Sequence, residues 1–116
     1  MKAYDLRPLS FTADTTATNQ GTQVPATDMI RKIVRMLIQN IHSTANRLTL
    51  YERISSTDTT IFDIQLDPGA VMEFKSEDME ESPPVLVLRP GSYLRSDTDN
   101  GNYLVSLWYA DEEGGA

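Results

Sequence analysis

His42 is the single histidine of this 116-residue chain, and cysteine is absent altogether. Side chains that could act as a nucleophile relay or a soft metal ligand are therefore almost missing. His42 stands in the small polar run HSTAN, with Ser43 and Thr44 beside it. A Ser-His-Asp relay is assembled by the fold and not by adjacency in sequence, so the expectation is a surface histidine in a turn.

Carboxylates are the other source of chemistry, since Asp and Glu number 17. The run Asp97-Thr98-Asp99-Asn100-Gly101 has the texture of a calcium loop. An EF-hand loop, however, needs glycine at its sixth position and a bidentate glutamate at its twelfth. Counted from Asp97, glycine falls at the fifth position and the twelfth is Trp108. Asn100-Gly101 reads instead as a tight hairpin turn. A second acidic group, Glu73, Glu77, Asp78, Glu80 and Glu81, offers hard oxygen ligands without a spacing that selects a metal, and reads as a solvated loop. Paired carboxylates for glycoside hydrolysis are defined by distance in space, which leaves a small hydrolase as a minor alternative. No catalytic, metal or cofactor-binding residue is assigned, and no enzyme activity and no cofactor is expected.

The charge of −7 opposes binding to a phosphate backbone. The one basic cluster, Arg31, Lys32 and Arg35, is read as a solvated or ion-paired face, and no nucleic acid is expected as a partner. No run approaches the length of a membrane span, and MKAYDLRPLS lacks the apolar core of a signal peptide. The expectation is a soluble, unexported chain with no membrane partner, of one domain's size.

The elements that must position these residues are strands. AYDLR, at residues 3–7, reads as a short strand closed by Pro8. Residues 12–28 carry six threonines and little that is apolar beyond alanine and Val24. Such a stretch cannot offset its own ordering entropy, which suggests an arm or surface loop laid against a neighbour. From Ile30 to Ile41 the apolar residues fall at helical spacing, yet most are β-branched and suit a strand that is apolar on both faces. Strand is the preferred reading and helix the alternative.

RLTLYERI, at 47–54, alternates as a half-buried strand with Leu48, Leu50 and Ile54 inward. IFDIQL follows at 61–66, with Phe62, Ile64 and Leu66 inward. Asp67-Pro68-Gly69 and Arg89-Pro90-Gly91 set proline before glycine, as a type II turn requires. Further strands lie at 71–75, 85–88, 93–95 and 102–109, and Trp108 is expected in the core. The result is about eight short strands, which point to an all-β sandwich or barrel of antiparallel strands. The preferred fold is an antiparallel β-sandwich, jelly-roll-like, with a Thr-rich extended N-terminal arm or loop. The divisions are residues 1–29 for strand and arm, 30–110 for the sandwich, and 111–116 for a flexible acidic tail. One surplus apolar face over 30–54 argues for a contact between subunits.

Taken together, IVRMLIQN, the polar turn, LTLYE, DPG and RPGSYL resemble the small β-sandwich proteins of tailed-bacteriophage structural modules, capsid decoration or cement proteins above all. The resemblance spans residues 30–110. It implies a non-enzymatic virion structural protein, made in the host cytoplasm and placed on the capsid surface. It also implies a homotrimer whose arm clamps the major capsid protein. Contact residues expected on that reading are Thr15, Thr16, Thr18, Asn19, Gln20, Val24, Ile33 and Leu37. The alternative is a phage fibre, baseplate or host-surface module that binds glycans through Tyr93, Tyr103 or Trp108.

Overall fold

The computed structural model describes residues 6–76 and 84–113. Within them the chain forms nine strands: β1 Arg7–Ala13, β2 Thr18–Gln20, β3 Met29–Asn40, β4 Asn46–Ile54, β5 Thr57–Leu66, β6 Val71–Lys75, β7 Leu86–Leu88, β8 Tyr93–Thr98 and β9 Tyr103–Glu113. The first sheet has the order β1-β9-β3-β6, with β7 also paired to β3; the second runs β2-β8-β4-β5. All pairings are antiparallel. β6 and β7 are collinear halves of one strand, since β6 pairs Arg35 to Gln39 and β7 pairs Arg31 to Ile33. Counted so, the eight strands have the order of a double-Greek-key jelly roll, the sandwich among the antiparallel sandwich or barrel forms to which the turn and strand pattern pointed.

Residues 30–41 are strand, not helix. Their helix-like spacing has a local cause. Ile33 pairs Tyr109 and Arg35 pairs Trp108, so Val34 is an extra residue, a β-bulge. The bulge switches which parity faces inward: Ile33 before it and Met36 and Ile38 after it are all fully buried. It also lies where β6 gives way to β7. There Ser76 N–H donates to Val34 O at 2.9 Å and Val85 N–H donates to Ile33 O at 2.8 Å. Most of the acidic loop expected after Lys75 lies outside the described residues.

Ile38, at the centre of the first sheet, pairs Val105 on one side and Met72 on the other. Replacing it by alanine leaves a void that neighbours held on both flanks cannot fill. The Ile38→Ala chain should lose about 3 kcal/mol of stability, read as a lower urea midpoint at unchanged slope; a loss under about 1 kcal/mol would contradict this packing.

The turns follow their sequence. Gly69 and Gly91 both have φ of 76°, where only glycine is unstrained. Ala70 N–H reaches Asp67 O at 3.0 Å and Ser92 N–H reaches Arg89 O at 3.2 Å, closing the two Pro-Gly turns. The Asn100-Gly101 hairpin connects β8 to β9 as expected.

Four expectations need correction. The first strand runs from Arg7 through Pro8 to Ala13, where 3–7 was expected; residues 1–5 lie outside the description. Pro8 does not end it, because on an edge strand a prolyl nitrogen can face away from the ladder. The Thr-rich segment 12–28 is folded onto its own sandwich. It holds the end of β1 and all of β2, and Val24, fully buried, exchanges backbone hydrogen bonds with Gly91 and Ser92.

Asp111, Glu112 and Glu113 belong to β9, where a frayed tail was expected. Arg31 holds Asp111 there, donating to it at 2.7 and 2.9 Å and to Thr22 O at 2.7 Å, with its guanidinium 4.4 Å from the Tyr109 ring centre, and Lys32 pairs with Glu112. Finally, Trp108 is outside the core. Tyr103, Val105, Leu107 and Tyr109 of the same strand point inward, and alternation leaves Leu104, Ser106 and Trp108 on the outer face.

Candidate functional site

The residues singled out for chemistry serve structure. His42 Nδ1 lies 2.9 Å from Thr44 Oγ1, while its backbone N–H donates to Asn40 Oδ1 at 3.0 Å. Among the described residues no group of three His, Asp or Glu side chains could hold a metal ion. Thr98 Oγ1 accepts from Gly101 N at 2.7 Å, so the Asp97–Gly101 run is spent on closing its hairpin. Several carboxylates face cations: Glu52 with Arg89, Asp58 with Arg53, Asp63 with Arg47, Glu73 with Arg35 and Asp111 with Arg31.

The two outer faces of the sandwich are unlike. On the second sheet, Arg47–Asp63 at 2.7 Å, Arg53–Asp58 at 2.9 Å and Arg95–Asp58 at 3.5 Å make a charged, ion-paired surface. On the first sheet, the register lays Thr12, Leu104, Gln39 and Val71 in one row. The next row is Ser10, Ser106, Leu37 and Glu73, and the third is Pro8, Trp108, Arg35 and Lys75. Leu104, in mid-sheet, is 40 % exposed, and Val71, on the edge strand β6, is 53 % exposed. Two shallow depressions meet at Leu104 and Ser106, one reaching Phe11 and Thr12, the other Leu37 and Val71. Charge enters this face at Glu73 in the second row and at Arg35 and Lys75 in the third: Arg35 pairs with Glu73 at 2.6 Å and covers the Trp108 ring at 4.5 Å, and beyond it Lys32 pairs with Glu112.

The residues expected to make contacts are scattered. Thr15, Thr16, Thr18 and Asn19 are exposed and Gln20 half-buried, around and within β2. Leu37 is half-buried on the outer face of the first sheet. Val24 and Ile33 have no exposed surface and belong to the core, so neither can meet a partner. Leu104, Val71, Ser10 and Ser106, on the less charged part of this face, were missed. Alternation on the last strand could have found Leu104, but nothing local says that this strand sits mid-sheet beside Gln39. Of the aromatic residues considered for glycans, Tyr103 is fully buried and Trp108 has a ring face under Arg35, which leaves Tyr93, half-buried on β8.

Tyr103 closes the core instead: its hydroxyl donates to Asn46 O at 3.1 Å, and burial lifts the phenol above its ordinary 10.0. The unfolded chain then ionises this tyrosine first as pH rises. Its contribution to stability is complete below about pH 10 and is lost above it. Urea titrations between about pH 9 and about pH 11 should show that loss, and Tyr103→Phe should be less stable at neutral pH by about 1 kcal/mol with a shallower alkaline decline. Equal alkaline slopes for the two chains would rule out this role.

No protein-family profile matches the chain, and no curated protein sequence matches it. Among solved structures, a chain from Bacillus endospore appendages, described as a novel family of disulfide-linked pili, superposes with a TM-score of 0.44 at 14 % identity, over 91 % of this chain and 85 % of that one. This chain has no cysteine with which to form such links.

Proposed function

We propose that this chain is a non-enzymatic structural protein that attaches to the surface of a larger symmetric particle through the outer face of its β1-β9-β3-β6 sheet. Its finer assignment is capsid decoration protein of a tailed phage, with the major capsid protein as partner. The observation that supports attachment is the difference between the two faces. One carries ion pairs across its breadth, as a surface kept in water tends to, while the other gathers its ion pairs, Arg35–Glu73 and Lys32–Glu112, toward one end and at the other end presents Leu104, Val71 and Leu37 among Ser10, Thr12, Ser106 and Gln39. An apolar centre with uncharged hydrogen-bonding residues around it and charge at one margin is the composition of a protein interface. The phage setting comes from the sequence resemblance, and jelly rolls occur in virion and lectin domains alike, so fold alone does not choose between them.

Gold-labelled antibody raised against the chain, applied to intact virions of the phage that encodes it, tests the assignment. Label distributed over the head is the expected result. Label confined to the tail, or no label on particles, would overturn the capsid reading.

A further inference from the structure

Among the described residues the two sheets end in four edges, and three of these edges are protected against pairing with another strand. β2 and β7 have three residues each, too short to template a partner. β6 has Glu73 at its centre, so a two-fold copy would set Glu73 against itself. β5 has Asp58 and Asp63, and it is bulged: Leu50 pairs Phe62 and Tyr51 pairs Thr60, leaving Ile61 as the extra residue. Charges, bulges and brevity are the usual means by which sheet edges avoid joining. β1 has none of them beyond Pro8. Its seven residues pair β9 without a break, and after Arg7 the sequence PLSFTA is uncharged.

The phase of the ladder shows what this edge offers. Ile41 N–H donates to Asn102 O at 3.0 Å, one step past the Asn40–Tyr103 pair, while Asn40 N–H turns to Ala70 O on the other side. By the alternation of antiparallel ladders, Leu104, Ser106 and Trp108 direct their backbone groups at β3, and Tyr103, Val105 and Leu107 direct theirs at β1. Their partners Ala13, Phe11 and Leu9 are therefore bonded to β9. Pro8, Ser10 and Thr12 turn their backbone groups to the open side.

From this we infer that two copies of the chain join through β1, antiparallel, about a two-fold axis at Ser10. In that register Ser10 faces Ser10 of the second copy and exchanges both N–H···O bonds with it. Each Thr12 N–H meets the Pro8 carbonyl across the axis, so the missing prolyl N–H is the one bond forgone on each side. Leu9 lies opposite Phe11, and no like charges face each other. The two β1-β9-β3-β6 sheets become one continuous sheet, which sets the two outer faces side by side with their Ser10 and Thr12 margins adjoining. This is a two-fold, self-complementary contact rather than the trimer implied by the phage resemblance, and it stands on the edge strand, independently of what the outer face binds.

Light scattering during size exclusion tests it, with the chain at concentrations up to about 1 mM, the scale of a weak contact. The expected mass is twice 13.0 kDa. Ser10→Pro removes a donor that β9 does not use, so it should keep the wild-type circular dichroism and still weaken association about hundredfold or more, the change counting twice across the axis. Pro8→Ala, which adds a donor facing the Thr12 carbonyl, should tighten association up to about tenfold.

Ser10→Cys gives a second readout. A hydrogen-bonded antiparallel pair has Cα atoms about 5.5 Å apart, within disulfide range. Mild oxidation should link S10C into a covalent dimer, while Q65C on the opposite sheet stays monomeric. A wild-type mass of 13.0 kDa throughout, a three-fold mass, or a dimer that S10P, P8A and S10C all leave unaltered would overturn the inference.

Discussion

Asn46→Ala should cost about 3 kcal/mol of folding stability, a large share of the roughly 5–15 kcal/mol typical of a domain. Asn46 is 1 % exposed and joins two loops at one end of the sandwich. Its Nδ2 donates to Gly101 O at 2.5 Å, and its Oδ1 accepts from Asn100 N at 3.0 Å. Asn40 does the same for the neighbouring turns, donating to Thr44 O at 2.9 Å and to Leu66 O at 3.0 Å. Truncating Asn46 leaves a buried carbonyl and a part-buried amide unpaired, and each carries a desolvation penalty of about 1–3 kcal/mol.

Asn46→Asp separates this account from a simple cavity. The carboxylate keeps the acceptor for Asn100 and loses the donor for Gly101, placing a buried charge near a carbonyl oxygen. Its folded-state pKa should rise, so the protonated form, which can donate to Gly101, is favoured by folding. Stability of N46D should then be greatest below the unfolded carboxyl value of about 3.9 and decline as pH rises through the folded value. Urea midpoints measured across pH would show that trend. A loss under about 1 kcal/mol for Asn46→Ala, or a pH-independent N46D, would mean that water satisfies these groups instead.

Much of the fold was legible because its turns use chemistry with one solution. Proline before glycine at 68–69 and 90–91, and Asn100 before Gly101, each demand a left-handed residue at a fixed place, and the strands between them follow by alternation. What was illegible depended on neighbours distant in sequence. The bulge at Val34 lies where β6 gives way to β7 on the other side of β3, and in the sequence it appears only as a strand with both faces apolar. Val24 reads as one apolar residue in a polar run, yet bonds to Gly91 and Ser92 carry it into the core. Asp111 reads as tail until Arg31 is seen across the sheet. The surplus apolar character noticed in Ile30–Ile54 was real in part: Leu37 is on the outer face, but its companions Leu104 and Val71 come from strands that only the jelly-roll order brings beside it.

That outer face yields the largest expected functional effect. A chain carrying both Leu104→Glu and Val71→Glu should fold as the parent does, because each site is well exposed and surface substitutions usually shift stability by no more than about 0.5 kcal/mol. Attachment to particles stripped of the protein should nevertheless weaken by about a hundredfold or more, since two carboxylates would be desolvated at the centre of the contact without a cation to meet them. The nearest guanidinium on this face, Arg35, is already engaged with Glu73 and Trp108. Gln65→Glu is the matched control, adding the same kind of charge at an exposed position on β5 of the opposite sheet. Co-sedimentation with the stripped particles reads the difference, and size exclusion of the same samples reads the β1 contact, which lies on a separate edge. Loss of attachment in the L104E/V71E chain with association between copies intact would locate particle binding on this face. Loss of attachment in Q65E, or full attachment of the doubly substituted chain, would move the docking surface to the ion-paired side and remove the reason for reading the two faces differently.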